Sequence, residues 1–167
     1  MTEVLAIREK HGGSLGDRSS VRLWLRLLSC TLAIEKDVQR RFGARGATLA
    51  RFDVLAALDR HREGMNMGAL SRALLVSKGN VTQLVQKLAK DALVRIAPSP
   101  ADRRASIVRM TAKGRAEFDG LAAVHHDWID ALVADMDGGA RETLYHALGN
   151  LKGAIAKGQA NGFQAES

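Results

Sequence analysis

The chain has 167 residues, 46% apolar and 26% charged, with a formal charge of +7 at pH 7. That is enough apolar side chain for one packed domain. No apolar run reaches the roughly 18 to 20 residues that span a bilayer, and the first twenty residues, with Glu3, Arg8, Glu9, Lys10, Asp17 and Arg18, lack the apolar block of a signal peptide. A single cysteine, Cys30, makes neither an internal disulfide nor a thiolate zinc site by itself. The chain reads as cytoplasmic, and its basicity leaves nucleic acid, an anionic membrane surface or an acidic ligand as partner.

Residues 1–18 carry Gly12, Gly13 and Gly16 without a clear period and read as a flexible arm. Val21, Trp24, Leu25, Leu28 and Leu32 then fall at helical spacing, which predicts a first helix to about Phe42, ended by Gly43 and Gly46. Thr48 opens a second helix that buries Leu49, Phe52, Val54, Leu55 and Leu58 and stops near His61, before Gly64. A short helix from Met67 to about Leu75 follows, and Ser77 is placed to cap the next one. In that helix Val81, Leu84, Val85 and Leu88 form one apolar stripe, leaving Lys78, Asn80, Thr82, Gln83, Gln86 and Lys87 on the other faces.

After Leu93 the period changes to alternation around Arg95 and Arg109, with both prolines, Pro98 and Pro100, between the two runs. This predicts a two-stranded hairpin with its tip at Ser99 to Ser106. Thr111 starts a long helix through Phe118, Leu121, Val124, Trp128 and Leu132. The Asp137-Gly138-Gly139 turn separates it from a last helix whose Leu144, Leu148, Leu151 and Ile155 make a seam of the kind that packs on another helix. The tail after Gly158 is expected to fray.

The charge is not spread evenly. From Ser71 to Arg115 ten Lys or Arg face two acids, Asp91 and Asp102, while the rest of the chain holds 15 basic and 16 acidic residues. A patch of this kind, on two short helices followed by a ribbon, is an electrostatic footprint for a polyanion. A membrane-surface helix would expose large apolar residues; the polar face here carries amides and hydroxyls. The second helix of such a unit reads base edges in the major groove, and a ribbon-tip guanidinium enters the minor groove, where the negative potential is strongest. The expected fold is therefore mainly α with a small β-hairpin wing, a winged helix-turn-helix.

Leu74-Leu75-Val76-Ser77-Lys78-Gly79-Asn80-Val81-Thr82-Gln83-Leu84-Val85, followed by Asp102-Arg103-Arg104-Ala105-Ser106-Ile107-Val108-Arg109-Met110-Thr111, resembles the recognition helix and wing of the MarR family of bacterial transcriptional regulators. The second segment fits the family's wing pattern D-x-R-x-x-x-V-x-L-T with Met110 in place of Leu. The resemblance covers about Val21 to Lys157. It implies a dimerisation helix over 19–47, a DNA-binding lobe over 48–112, C-terminal dimerisation helices over 113–158 and a frayed tail over 159–167. It also implies a homodimer on a near-palindromic operator in double-stranded DNA. Ser77, Lys78, Asn80, Thr82 and Gln83 would face the major groove. Arg104 would be the minor-groove arginine, Asp102 its brace and Arg103 a phosphate contact.

Members of the family hold small aromatic acids or related anions between the dimerisation helices and the DNA-binding lobe. The resemblance thus implies a small-molecule effector, for which Arg40, Arg41, Arg45 and Arg51 around the first interhelical turn offer a receptor for a carboxylate or for the phosphates of an aromatic acyl-coenzyme A. Trp24 and Asp53 complete the candidate set, although solvated helix ends also collect cations and tryptophans more often serve a core or dimer interface. Cys30 is either a peroxide-sensing thiol, as in a branch of the family, or a small packing residue among leucines. The usual accompanying tyrosines are missing, so packing is expected.

His125, His126 and Asp127 invite a metal reading, but adjacent helical histidines point about 100° apart and no H-E-x-x-H or paired C-x-x-C is present. No metal and no cofactor are expected. No nucleophile with a neighbouring base and no phosphate-binding glycine loop occurs either, since Gly43-Ala44-Arg45-Gly46 lacks the lysine and the spacing. An enzyme is not expected. The rival reading is an effector-independent activator or architectural protein of the same fold, and the favoured one is a repressor released by its ligand.

Overall fold

The computed structural model describes residues 19–98 and 105–165. The arm 1–18 and the wing-tip residues Asp102, Arg103 and Arg104 lie outside the described residues. The elements are α1 (Ser19–Gly43), α2 (Leu49–Arg60), β1 (Met65–Asn66), α3 (Met67–Leu74), α4 (Lys78–Lys90), β2 (Val94–Pro98), β3 (Ser106–Met110), α5 (Ala112–Leu132) and α6 (Gly138–Ala165). No described helix is long and apolar enough to cross a membrane.

Short polar side chains set most boundaries. Thr48 accepts from the Arg51 amide at the start of α2, Asn66 from the Ala69 amide at α3 and Ser77 from the Asn80 amide at α4. Each satisfies a donor that the helix cannot use internally. The stops are backbone turns. Gly46 ends the α1–α2 connection at φ +69, and Leu75 and Ala92 adopt left-handed φ of 55 and 59 after α3 and α4. Behind Ala92, Leu93 N donates to Leu88 O at 2.9 Å, which closes the C-terminal end of α4 as a Schellman-type turn.

Three strands form an antiparallel sheet in the order β1-β3-β2, one more than the hairpin expected from sequence. Met65 pairs with Val108 and Asn66 with Ile107. A two-residue strand has no period to read, so only the tertiary pairing reveals it. Its approach requires Gly64: at φ +91 a Cβ there would stand 2.6 Å from Val108 O and from the Ile107 and Arg109 side chains. Pro98 differs from expectation too. It ends β2 and pairs with Ser106, an edge position where its missing N–H is tolerated.

Contacts divide the chain at Trp128. In the first unit the core joins Val54, Leu55 and Leu58 of α2, Leu70 of α3, Val81, Val85 and Leu88 of α4, Leu93 just before β2 and Val108 of β3, all fully buried or nearly so. Each such side chain contributes about 1.5 to 3 kcal/mol of burial, and together they fix α3, α4 and the wing as one block. At the other end of α2, Phe42, Phe52, Phe118, His125 and Trp128 make an aromatic cluster with ring centroids 4.8 to 5.8 Å apart. The second unit holds the end of α5 and α6. The latter continues past Gly158 to Ala165, so the expected end at 158 falls inside a helix.

Candidate nucleic-acid interface

The recognition helix α4 is built to be read from one side. Val81, Val85 and Leu88 are buried, whereas Ser77, Lys78, Asn80, Gln83, Gln86 and Lys87 are exposed and Thr82 is half-buried. The Thr82 hydroxyl donates to Lys78 O at 2.8 Å and keeps lone pairs outward. Ser77 is already committed in part, because its Oγ accepts from Asn80 N at 3.3 Å. That leaves the Asn80 carboxamide free of capping duty at the first turn, where side chains enter a major groove. Farther along, Gln83, Gln86, Lys87 and Lys90 line a shallow depression. Ser77, Lys78, Asn80, Thr82 and Gln83 thus lie at the N-cap and first turns of α4.

The wing adds a feature that the sequence analysis did not use. Arg95 and Arg109 stand directly opposite each other in the β2–β3 register. Like charges at directly paired positions disfavour each other. Alternation placed both arginines on one face of each strand; only the register made them neighbours.

The effector candidates do not converge on one place. Arg41 and Arg45 come together over the Trp128 ring, at 5.7 and 4.9 Å from its centroid. Arg40 and Arg41 both bond Asp37, Arg41 Nε at 2.6 Å from Oδ2. Partial burial works against ionisation of Asp37, yet these guanidinium hydrogen bonds and charges hold its carboxyl below the usual carboxylate range. Arg51 faces the other way, 2.9 Å from Asp91 and 3.7 Å from Glu117. Asp53 is half-buried, and its carboxyl is pushed up by burial and then by the Glu35 charge, against the pull of Arg60. Trp24 is 56% exposed on α1, seventeen residues or about 25 Å of helix from Arg41. Within one subunit it cannot share a pocket with the arginines.

Two further expectations meet the structure here. Cys30 is exposed, not packed: α1 buries only Val38 and Phe42, near its C-terminal end, so the helix around Cys30 has no core to enter in a single chain. His125 lies in the aromatic cluster, and burial, followed by the neighbouring His126, pushes its pKa below 6.5. No group of three or more metal-ligating side chains occurs among the described residues. His125 packs on the rings of Phe42 and Phe52. The cluster was missed because its members come from α1, α2 and α5 and share no local period.

A capped helix with an outward amide-rich face, a three-stranded wing and a local cationic surplus define a winged helix-turn-helix DNA-binding regulator. Residues 45–105 match the family model described as MarR family. The crystal structure of a MarR-family transcriptional regulator from Silicibacter pomeroyi is 30% identical, covers 85% of this chain and 98% of its own, and superposes with a TM-score of 0.69. The chain belongs to the MarR family of DNA-binding transcriptional regulators.

Its relatives carry both signs of regulation. The transcriptional activatory protein BadR of Rhodopseudomonas palustris is 38% identical over 103 residues, 60% of this chain and 59% of BadR's own length. The transcriptional repressor YetL of Bacillus subtilis is 24% identical over 136 residues, 81% of each chain. At the level of fold alone, CouR from Rhodococcus jostii RHA1, solved bound to p-coumaroyl-CoA, matches with a TM-score of 0.70, 18% identity, and coverage of 84% of this chain and 95% of its own.

Proposed function

We propose that the protein is a homodimeric, ligand-responsive regulator that binds a near-palindromic operator. One α4 per subunit enters a major groove through Ser77, Lys78, Asn80, Thr82 and Gln83. The wing residues Asp102, Arg103 and Arg104 reach the adjoining minor groove. The observation that carries this reading is α4 itself: a helix whose N-terminal half presents amide, hydroxyl and ammonium groups to solvent while its other face is fully buried. Dimerisation is supported by apolar surface left uncovered in the single chain, with Val21, Leu23, Trp24 and Leu32 on α1 and Leu144, Leu148 and Ile155 on α6 all exposed.

The effector is an aromatic acid or its coenzyme A thioester. Arg45 has no carboxylate partner among the described residues and, with Arg41, is held on an aromatic ring, an arrangement suited to a planar anion. The p-coumaroyl-CoA bound by CouR supports the thioester class. The primary sign is repression relieved by ligand, as in the dissociation of a roadblock. Activation is the second reading, favoured by the higher identity to BadR.

Fluorescence anisotropy on duplexes from the DNA flanking its own gene, across a salt series, tests the core of the proposal. Tight binding to one segment, at two subunits per site and well above a scrambled control, is expected. Asn80→Ala with Gln83→Ala should erode that preference more than the salt-sensitive background; an equal loss of both would reduce these side chains to positioning contacts. Thermal shifts against aromatic acids and their thioesters test the effector, since a ligand at 100 times its Kd adds about 2.7 kcal/mol. A reporter fused to the bound promoter gives the sign.

A further inference from the structure

The base-reading face of α4 is aimed from its far end. Asp91, the C-cap of α4, forms an ion pair with Arg51 of α2, with Oδ2 2.9 Å from the guanidinium, and the same guanidinium lies 3.7 Å from Glu117 of α5. The next residues are tied to the start of α5. Thr111 Oγ1 donates to Ala92 O at 2.7 Å, Thr111 N donates to Leu93 O at 3.0 Å, and Lys113 Nζ donates to Asp91 O at 2.9 Å. Arg51 Nε is buried with no hydrogen-bond partner among the described residues, so this guanidinium is held in place at the expense of one of its own donors.

Two features separate this junction from ordinary stabilisation. Its side chains are 26%, 47% and 36% exposed for Arg51, Asp91 and Glu117, the range in which an ion pair adds little to folding. It also ties the end of α4 to two other helices, through Arg51 of α2 and Lys113 of α5. Val81, Val85 and Leu88 make one apolar stripe that seats the helix along its length, and the ion pair acts at its end. A charged fork at the end of a 13-residue helix, about 20 Å long, supplies the angular restraint.

We propose that Arg51 and Asp91 are positioning residues for operator recognition: their pair sets the roll and tilt of α4 relative to α2, and so decides whether Asn80 and Gln83 meet base edges in register. This rests on the DNA-reading role of α4 proposed above. It gives Arg51 a task at the root of the recognition helix, apart from the arginines over Trp128.

Charge makes the test sharp. Asp91→Asn removes an acid from the DNA-facing segment, so electrostatics alone predicts tighter binding to every duplex. A positioning role predicts that discrimination falls. The measurement is anisotropy on a duplex that the wild-type protein has selected from a randomised pool, against a scrambled duplex of the same composition, at fixed salt and well below the unfolding temperature of each variant.

Asp91→Asn should bind the scrambled duplex at least as tightly as wild type while its selected-to-scrambled ratio falls about three- to fivefold. Arg51→Met should lose the ratio by a similar factor, and the double variant should be no worse than either single. Glu117→Gln, which removes an equal charge from the same guanidinium without touching α4, should leave the ratio unchanged. If Asp91→Asn tightens both duplexes equally, or Glu117→Gln matches its loss, the positioning role is overturned while the DNA-reading role stands. A wild-type protein that selects no sequence would overturn both.

Discussion

Ala92 and Gly114 lie on the two sides of the joint between α4 and α5, and their conformations predict opposite outcomes for one methyl group. Ala92 sits at φ 59, where a Cβ costs roughly 1 kcal/mol. Ala92→Gly should therefore raise stability by up to about 1 kcal/mol in urea titration, less the chain entropy that glycine brings. Gly114 is buried, and a Cβ there would run into the Leu93 carbonyl, with Leu93 C at 2.9 Å and the Met110 side chain at 3.0 Å. Backbone cannot yield as a side chain can, so Gly114→Ala should cost at least about 2 kcal/mol, and a loss under 0.5 kcal/mol in the same titration would refute the close approach.

His125 gives the stability a pH dependence with a definite sign. Its folded pKa is depressed below 6.5 by burial between Phe42 and Phe52 and by His126. Below 6.5 the unfolded chain therefore binds the proton more readily than the folded one. This stabilisation is complete above 6.5 and declines as pH falls from there toward the depressed value. Asp53, raised from 3.8, acts oppositely and in a lower window, favouring the fold as pH falls toward 3.8. Urea midpoints between pH 7.5 and 5.5 should fall for wild type and flatten for His125→Phe; parallel slopes would show that His125 is not the group responsible.

The start of α4 joins folding to recognition, because the Ser77 hydroxyl both caps the helix and stands among the proposed base readers. Ser77→Ala should cost about 1 kcal/mol, whereas Ser77→Gly should cost only a few tenths. Operator affinity in the glycine variant then reports the hydroxyl's contact with little contribution from the cap. If the two variants lose affinity equally despite unequal stability, the contact dominates; an unchanged Ser77→Gly affinity would make the residue a cap only. The wing behaves as an element in the same sense. Its register pairs Arg95 with Arg109, two like charges whose mutual repulsion a bound anion would relieve.

Taken as a molecule, the single chain leaves apolar residues of α1 and α6 in water, and along the α6 seam Leu144, Leu148 and Ile155 are exposed while Leu151 is half-buried. A homodimer that covers them should unfold at a temperature that rises with protein concentration. Leu148→Asp should give a monomer by light scattering and abolish operator binding at two subunits per site. A concentration-independent transition together with a dimeric Leu148→Asp variant would exclude this seam as the interface.

Local pattern was sufficient for much of this protein. The 3.6-residue period placed α1, α2, α4, α5 and α6, and side-chain oxygens at Thr48 and Ser77 marked two helix starts, because each of these depends on neighbours within one or two turns. Other features required distant residues to meet. β1 exists only through its pairing with β3, the aromatic cage around His125 draws on three helices, and Arg51 found Asp91 and Glu117 although its sequence neighbours suggested a place with Arg40, Arg41 and Arg45. Cys30 is the counterpart case: its leucine-rich surroundings implied burial, but a helix face is buried only where another element covers it. Periodicity, capping and charge are properties of short segments and can be read directly, whereas register, exposure and ion-pair partners are set by which surfaces the packed core brings together.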